Sequence, residues 1–119
     1  MSEALEKQID REYLADISGG DTEFEQELVE AFIGTAGDLV TDLEHSLQSG
    51  SDTGVRHSAH TLKGSSRAIG ANPFSDVCEV IEMAARAGDL TTCQRELPTL
   101  KDGFAVLGEA CRAFLAEAA

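Results

Sequence analysis

The sequence predicts an all-α protein, an antiparallel up-down four-helix bundle with a short N-terminal helix that caps one end. Strand-like alternation is scarce, whereas apolar residues recur every three or four positions through long stretches rich in Ala, Leu and Glu. The loops that connect these stretches are only a few residues long, and short loops make consecutive helices antiparallel neighbours. Apolar residues form 42% of the 119 residues, which suffices for the core of a single domain over residues 1–119.

The first two predicted elements are a short helix at about 10–17 and a long helix at about 22–48. Gly19-Gly20 ends the short helix, and Thr22 with Glu25 has the spacing of a capping box at the start of the long one. Gly34 and Gly37 each weaken the long helix by up to ~1 kcal/mol, which would fit close approach of a neighbouring helix or of a partner. The apolar positions of the long helix are Phe24, Leu28, Phe32, Ala36, Leu39, Leu43 and Leu47.

The next two helices are predicted at about 53–69 and 73–87. Ser49-Gly50-Ser51-Asp52 breaks the chain and supplies an N-cap for the first of them, which ends near Gly70. For the second, Asn72 offers a capping side chain, Pro73 occupies the first helical position and Gly88 follows the end.

Pro98 lies inside the last periodic stretch. An interior proline costs ~3 kcal/mol or more in a helix, so a break is the default expectation. The apolar spacing on both sides of Pro98 nevertheless continues without a slip in phase, which a break would normally cause. We therefore expect one helix over about 90–116, bent at most at Pro98. Its apolar positions are Leu90, Cys93, Leu97, Leu100, Phe104, Leu107, Cys111 and Phe114.

The net charge of −13 is distributed unevenly along the chain. Residues 1–52 hold fourteen of the 22 acidic residues, whereas three of the nine basic residues fall between Arg56 and Arg67. So acidic a chain is repelled by nucleic acid and by anionic membranes, and neither is an expected partner. No apolar run approaches the ~20 residues of a membrane span, and the N-terminus lacks the features of a secretory signal. Together with three cysteines in no paired motif, these features favour a reduced, cytoplasmic protein.

The three basic residues between Arg56 and Arg67 belong to the predicted helix 53–69, which has two faces of different character. One face carries a mostly apolar stripe that suits burial, consisting of Val55, Ala59, Leu62, Ser66 and Ile69. His60 points away from that stripe, and the residues around it are Arg56, His57, Lys63, Gly64 and Arg67. A helix that buries the first face therefore presents an imidazole to solvent among cations.

This arrangement favours a phosphoryl carrier over an enzyme. Cations beside His60 disfavour its protonation, which keeps it nucleophilic, and they offer contacts to an anion placed on it. Gly64 sacrifices about 1 kcal/mol of helix propensity, which makes sense if a large partner must approach His60 closely. The chain shows no nucleotide-binding loop and no fixed carboxylate base, so it lacks kinase machinery of its own. Phosphoryl transfer needs mainly positioning and charge neutralisation, and a partner can bring the metal.

The same residues resemble a known family, the histidine-containing phosphotransfer (HPt) domains of multistep phosphorelays. A lone histidine and lysine at this spacing would be weak evidence, but the similar stretch covers about residues 56–89. The resemblance rests on His60-Thr61-Leu62-Lys63-Gly64-Ser65-Ser66, Ile69-Gly70-Ala71, Cys78-Glu79 and Ala85-Arg86-Ala87-Gly88-Asp89. It implies that His60 is phosphorylated by a receiver-domain aspartate and passes the group to another receiver.

The resemblance also suggests roles for the residues around His60. It implies that Lys63 neutralises the phosphoryl group and that Gly64 leaves space for the receiver. Glu82 falls near the place where some members carry a glutamine that binds the imidazole, and its role stays open. Arg86 either faces the same site or is an ordinary solvated charge. Arg56 and Arg67 are further candidates for neutralising phosphate.

The expected partners are response-regulator receiver domains and a hybrid sensor histidine kinase. The protein should need no cofactor, Mg²⁺ being supplied by the receiver, and should act as a monomer. We expect no metal site, because His57 and His60 have no matched carboxylate in the nearby sequence, and His45 is expected on the surface of another helix. Two alternatives stay open, namely the phosphorylatable domain of a chemotaxis-type histidine kinase and a helical adaptor without chemistry.

Overall fold

The computed structural model describes residues 3–117, which form six helices and no strand. They are α1 (Glu3–Glu6), α2 (Arg11–Ser18), α3 (Thr22–Gln48), α4 (Asp52–Ala68), α5 (Asn72–Arg86) and α6 (Leu90–Glu117). Helices α3 to α6 form the bundle, in which α3 contacts α4, α4 contacts α5, α5 contacts α6, and α6 closes the ring on α3. The all-α bundle predicted from the sequence is confirmed.

The N-terminal segment caps the bundle with two helices rather than the single one expected. Helix α2 packs on α3, whereas the four-residue α1 packs on α6. Ile9 and Leu14 of this segment are buried, whereas Tyr13 and Ile17 remain 40% and 45% exposed. The segment is joined to the end of α6 by an ion pair between Arg11 and Glu117 at 2.6 Å.

The turn after α4 also anchors the N-terminal segment. The backbone amide of Asp10 donates a hydrogen bond to the carbonyl of Gly70 at 2.9 Å. Gly70 has φ +73°, and a Cβ on it would lie 2.9 Å from the carbonyl oxygen of Asp10. Glycine is therefore required at position 70 both for the left-handed backbone and for this close approach.

Two helix starts differ from the caps expected from the sequence. Helix α3 is capped by Asp21, whose side chain accepts from the amide of Phe24, so Thr22 lies inside the helix and forms no capping box with Glu25. Helix α5 begins at Asn72 itself, after Ala71, and no side chain caps it. Ser51 caps α4, within the stretch that was predicted to supply this cap.

Helix α6 runs unbroken through Pro98, as the continuous apolar spacing predicted. Pro98 is exposed, so its missing N–H is lost on the solvent side of the helix, while Leu100, two residues later, is fully buried. In the core, the aromatic ring of Phe74 on α5 packs against the rings of Phe32 on α3 and Phe104 on α6. Phe24, predicted as apolar core, lies in the first turn of α3 at the bundle end and is 42% exposed.

The three cysteines are free and buried. Burial raises the pKa of Cys78 to about 12 and that of Cys111 to about 11, so both thiols stay protonated and inert near neutral pH. Across residues 3–117, no helix combines the length and apolar character that a membrane span needs.

Candidate functional site

His60 lies on the outward face of α4, where α4 packs on α5. The opposite face of α4 is fixed in the core by Val55, Ala59 and Leu62, all of which are fully buried. The His60 side chain is consequently held outward and is 66% exposed. The helix that carries the site is thus anchored in the core, whereas the imidazole is open to a partner.

The residue that organises the site is Glu82 on α5. Its side chain is only 2% exposed, yet it is an acid surrounded by three nitrogen-bearing side chains. Oε2 lies 2.9 Å from Nδ1 of His60 and accepts a hydrogen bond from Arg86 at 3.0 Å. Oε1 forms an ion pair with Nζ of Lys63 at 2.5 Å but accepts no well-directed hydrogen bond. Glu82 thereby links α4 to α5 at the level of His60.

Two opposing effects act on the pKa of Glu82. Burial alone would raise the pKa, since it disfavours the charged carboxylate. The contacts with Lys63 and His60 outweigh burial and hold the pKa below its usual value of 4.5. Glu82 is therefore ionised at neutral pH.

An ionised Glu82 determines which nitrogen of His60 carries the proton. A carboxylate can only accept hydrogen bonds, so Nδ1 of a neutral His60 must be the protonated nitrogen. The other nitrogen, Nε2, then carries a free lone pair on the exposed side of the ring. The geometry thus presents a nucleophilic nitrogen to solvent.

A cavity of about 320 Å³ opens beside His60. It is lined by His60 and Glu82 together with Thr53, Arg56, His57 and Arg86. No acidic side chain among residues 3–117 pairs with Arg56, so its guanidinium is available to an anion in the cavity. The cavity therefore combines a nucleophilic nitrogen with an unpaired cation.

The profile of the Hpt domain family matches residues 27–114, which is most of the chain. The chain belongs to the Hpt domain family. Among solved structures, it is similar to histidine-containing phosphotransfer protein B (HptB) from Pseudomonas aeruginosa PAO1. The TM-score is 0.80 at 25% sequence identity, over 90% of this chain and 94% of the other. No curated protein sequence gives a significant match.

Membership of the Hpt family gives the activity of the chain. It is a histidine phosphotransfer protein of a phosphorelay, and Hpt domains interact with receiver domains in such relays. This function, predicted from the His60 motif, is confirmed. The roles of individual residues in this Hpt domain are argued below from its own geometry.

Lys63 does not lie where a cation for an exposed phosphoryl group was expected. Its side chain is only 17% exposed, and its ammonium contacts the buried Glu82 rather than the cavity. Arg67 is engaged elsewhere, in an ion pair with Glu79 at 3.5 Å, and does not line the cavity. A direct phosphate contact of either residue stays a prediction.

The structure brings Arg56, Glu82 and Arg86 to His60, and it leaves open space at Gly64. A Cβ on Gly64 would meet no atom within 4 Å, so no neighbour inside the described chain requires glycine there. The open position is what clearance for a docking partner needs.

Thr53 and His57 also line the cavity, although sequence reasoning gave neither of them a role. Thr53 precedes His60 by seven residues on the same helix, so the helical period, which placed His57 beside His60, could have placed Thr53 there too. His45 is exposed on α3, as expected. Among residues 3–117, no group of three His, Cys, Asp or Glu side chains is placed to hold a metal ion.

Proposed function

We propose that His60 is the phosphorylated residue of this Hpt domain and that Nε2 is the atom that carries the phosphoryl group. The contact between Nδ1 of His60 and the buried carboxylate of Glu82 supports this assignment best. It leaves Nε2 unprotonated, exposed and beside a cation-lined cavity. The other two histidines lack a carboxylate partner within hydrogen-bond distance in the described residues.

The cations have separate places around the transferred group. Among the described residues Arg56 has no acidic partner, and it lines the cavity, so it is free to contact phosphoryl oxygens. Arg86 lines the same cavity and is 63% exposed, and its fork of donors can serve Glu82 and phosphate together. Because the transition state of phosphoryl transfer spreads negative charge over three oxygens, two guanidinium groups suit it.

The donor and the acceptor are receiver-domain aspartates, with a hybrid sensor histidine kinase as the upstream partner. The chain itself acts as a phosphocarrier without kinase machinery, because the site comprises one imidazole and its supporting charges. We assign the Mg²⁺ that phosphoryl transfer requires to the receiver. We further propose that the protein acts in the cytoplasm as a monomer, with Gly64 leaving room for the receiver.

Transfer of labelled phosphate from a phosphorylated receiver domain tests the assignment. The wild type should acquire an acid-labile label, and His60→Gln should acquire none. His57→Gln is the matched control, because His57 lies one turn earlier on the same helix and lines the same cavity. A label that persists in His60→Gln, or disappears in His57→Gln while His60 is intact, would contradict the assignment.

A further inference from the structure

We propose that His57 binds the phosphoryl group on His60, and that protonation of His57 increases the share of phosphate that the carrier holds. This inference rests on the proposed phosphorylation of His60. His57 is a phosphate-binding residue in this scheme, and His60 remains the nucleophile. The consequence is a carrier whose charged and discharged forms depend on pH.

The side chain of His57 is free to take this role. His57 lies one turn before His60 on α4, is exposed, and lines the same cavity of about 320 Å³. Within residues 3–117, the imidazole of His57 forms no hydrogen bond and no ion pair, whereas that of His60 is held by Glu82. His57 is thus an uncommitted ring on the wall of the cavity beside the nucleophilic nitrogen.

The anion already present at the cavity is committed to other groups. From α4, Arg56 lines the cavity with the two histidines; from α5, Glu82 and Arg86 line it. The carboxylate of Glu82 contacts His60 and Arg86, so it does not serve His57. A dianionic phosphoryl group on His60 is therefore the new anion that His57 meets.

Helix α3, which packs on the other flank of α4, adds no anion to the cavity. Ser46 of α3 lies directly beside Gly54 of α4, so the acidic residues of α3 at the level of His57 are Asp42 and Glu44. Glu44 forms an ion pair with α6. Among the described residues, Asp42 forms no ion pair with His57 and does not line the cavity. The charge that His57 faces therefore changes mainly when His60 is phosphorylated.

The transfer step itself needs no proton from His57. Nε2 of His60 forms the P–N bond, the P–O bond to the receiver aspartate breaks, and its electron pair returns to the aspartate carboxylate. The proton that His57 takes up comes from the solvent. The protonated ring then donates a charge-assisted hydrogen bond to a phosphoryl oxygen.

Protonation of His57 and phosphorylation of His60 must then favour each other to the same extent. Histidine changes its charge between about pH 5 and 8. The cationic ring favours phosphorylation fully below the titration midpoint of the unphosphorylated chain, and this effect is lost as the pH rises through the higher midpoint of the phosphorylated chain. Because linkage is reciprocal, a midpoint shift of about one pH unit corresponds to about a tenfold gain in bound phosphate. The carrier therefore retains phosphate more strongly at the acidic end of this range.

Titration of the histidine rings by proton NMR tests the contact directly. The full chain is compared before and after chemical phosphorylation with phosphoramidate, and the spectra of His57→Gln and His45→Gln assign the signals. The ring of His57 should titrate about one pH unit higher after phosphorylation. His45, exposed on α3 and outside the cavity, is the internal control and should titrate identically in both forms. An unchanged midpoint for His57 while His60 carries phosphate would overturn the inference.

The partition of labelled phosphate between the chain and a receiver domain tests the consequence. The ratio of phosphate on the chain to phosphate on the receiver is measured for wild type and for His57→Gln, which should still acquire the label on His60. Dividing one ratio by the other at each pH cancels every group that titrates in the receiver. The quotient should be near unity at about pH 8 and rise to about tenfold toward about pH 6. His57→Arg, whose charge is permanent, should exceed His57→Gln at both values.

The outcomes separate this inference from the proposed function. A quotient that does not change with pH would overturn the role of His57 and leave His60 as the carrier. His45→Gln makes the same change outside the cavity and should match the wild type throughout. A wild type that acquires no phosphate on His60 would instead overturn the proposed function, on which the role of His57 rests.

Discussion

Lys63 Nζ lies 2.5 Å from Oε1 of Glu82, a side chain that is only 2% exposed. The second oxygen of the same carboxylate contacts Nδ1 of His60. Lys63 and His60 lie one turn apart on α4, and they are thus connected through a residue of the neighbouring helix. The lysine of the motif is consequently part of the support of the imidazole.

The first prediction concerns the contribution of Lys63 to stability. Removing one partner of a buried ion pair costs up to about 3–5 kcal/mol, because the remaining charge is left uncompensated. Lys63 is 17% exposed and Glu82 keeps two other partners, so we expect Lys63→Met to lower the free energy of unfolding by about 1–3 kcal/mol. Urea denaturation monitored by circular dichroism measures this loss.

Two further variants serve as references for the stability loss of Lys63→Met. Lys63→Met combined with Glu82→Gln should be less destabilised than Lys63→Met alone, because no unpaired carboxylate remains buried. Lys101→Met removes a surface ion pair with Glu44 at 3.2 Å and should cost at most about 1 kcal/mol. Equal losses for Lys63→Met and Lys101→Met would show that Lys63 does not support Glu82.

The second prediction follows from the lowered pKa of Glu82. An acid whose pKa is lower in the folded state stabilises that state fully above its unfolded pKa, and the stabilisation is lost as the pH falls through the folded pKa. Glu82→Gln has no such group to titrate. The gap in unfolding free energy between wild type and Glu82→Gln should therefore be largest above the usual carboxyl pKa of 4.5 and should narrow as the pH falls below it. Urea denaturation across this range tests it, and a gap that widens on acidification would contradict the assigned pKa direction.

The bundle itself was predictable, because helical periodicity is a local property of the chain. Pro98 illustrates this. The apolar spacing continues across the proline and therefore predicted a single helix, and α6 does run through Pro98 without a break. Helix α1 was missed because four residues are too short to show a period. The cap of α3 was assigned to Thr22 although Asp21 provides it, since two adjacent residues of capping type differ only in backbone conformation.

The site was predictable in its residues but not in its connections. The helical period placed Lys63 and Gly64 beside His60, and the family resemblance brought Glu82 near it. The partner of each cation depends instead on the register between α4 and α5, which no local pattern specifies. Lys63 and Arg67 looked alike from the sequence, yet one binds the buried Glu82 and the other the exposed Glu79.

The third prediction concerns Gly64, whose missing side chain leaves open space. Gly64→Gln should retain or raise the stability of the fold by up to about 1 kcal/mol, because helix propensity improves and no atom is displaced. Transfer from a receiver should nevertheless become slower, since the longer side chain projects beside His60. Chemical labelling of the same variant with phosphoramidate, a small donor that needs no receiver, is the internal control and should be unchanged. Unchanged transfer from the receiver would remove the argument for clearance at Gly64.

The last prediction separates the two arginines that flank His60 on α4. Arg56 lines the cavity and has no acidic partner in the described chain, whereas Arg67 pairs with Glu79 and lies outside the cavity. Arg56→Gln should therefore slow transfer from a phosphorylated receiver by about tenfold, the value of one charge-assisted contact of about 1.4 kcal/mol. Arg67→Gln makes the same change in charge on the same helix and should slow transfer much less. Both arginines are exposed, and the ion pair of Arg67 with Glu79 lies at the surface, so neither variant should alter the free energy of unfolding by more than about 1 kcal/mol. Rates measured at low and high salt distinguish a contact in the cavity from general attraction, because salt screens the latter more strongly. Equal slowing by both variants, abolished by salt, would show that Arg56 contributes only long-range charge and makes no contact with the phosphoryl group.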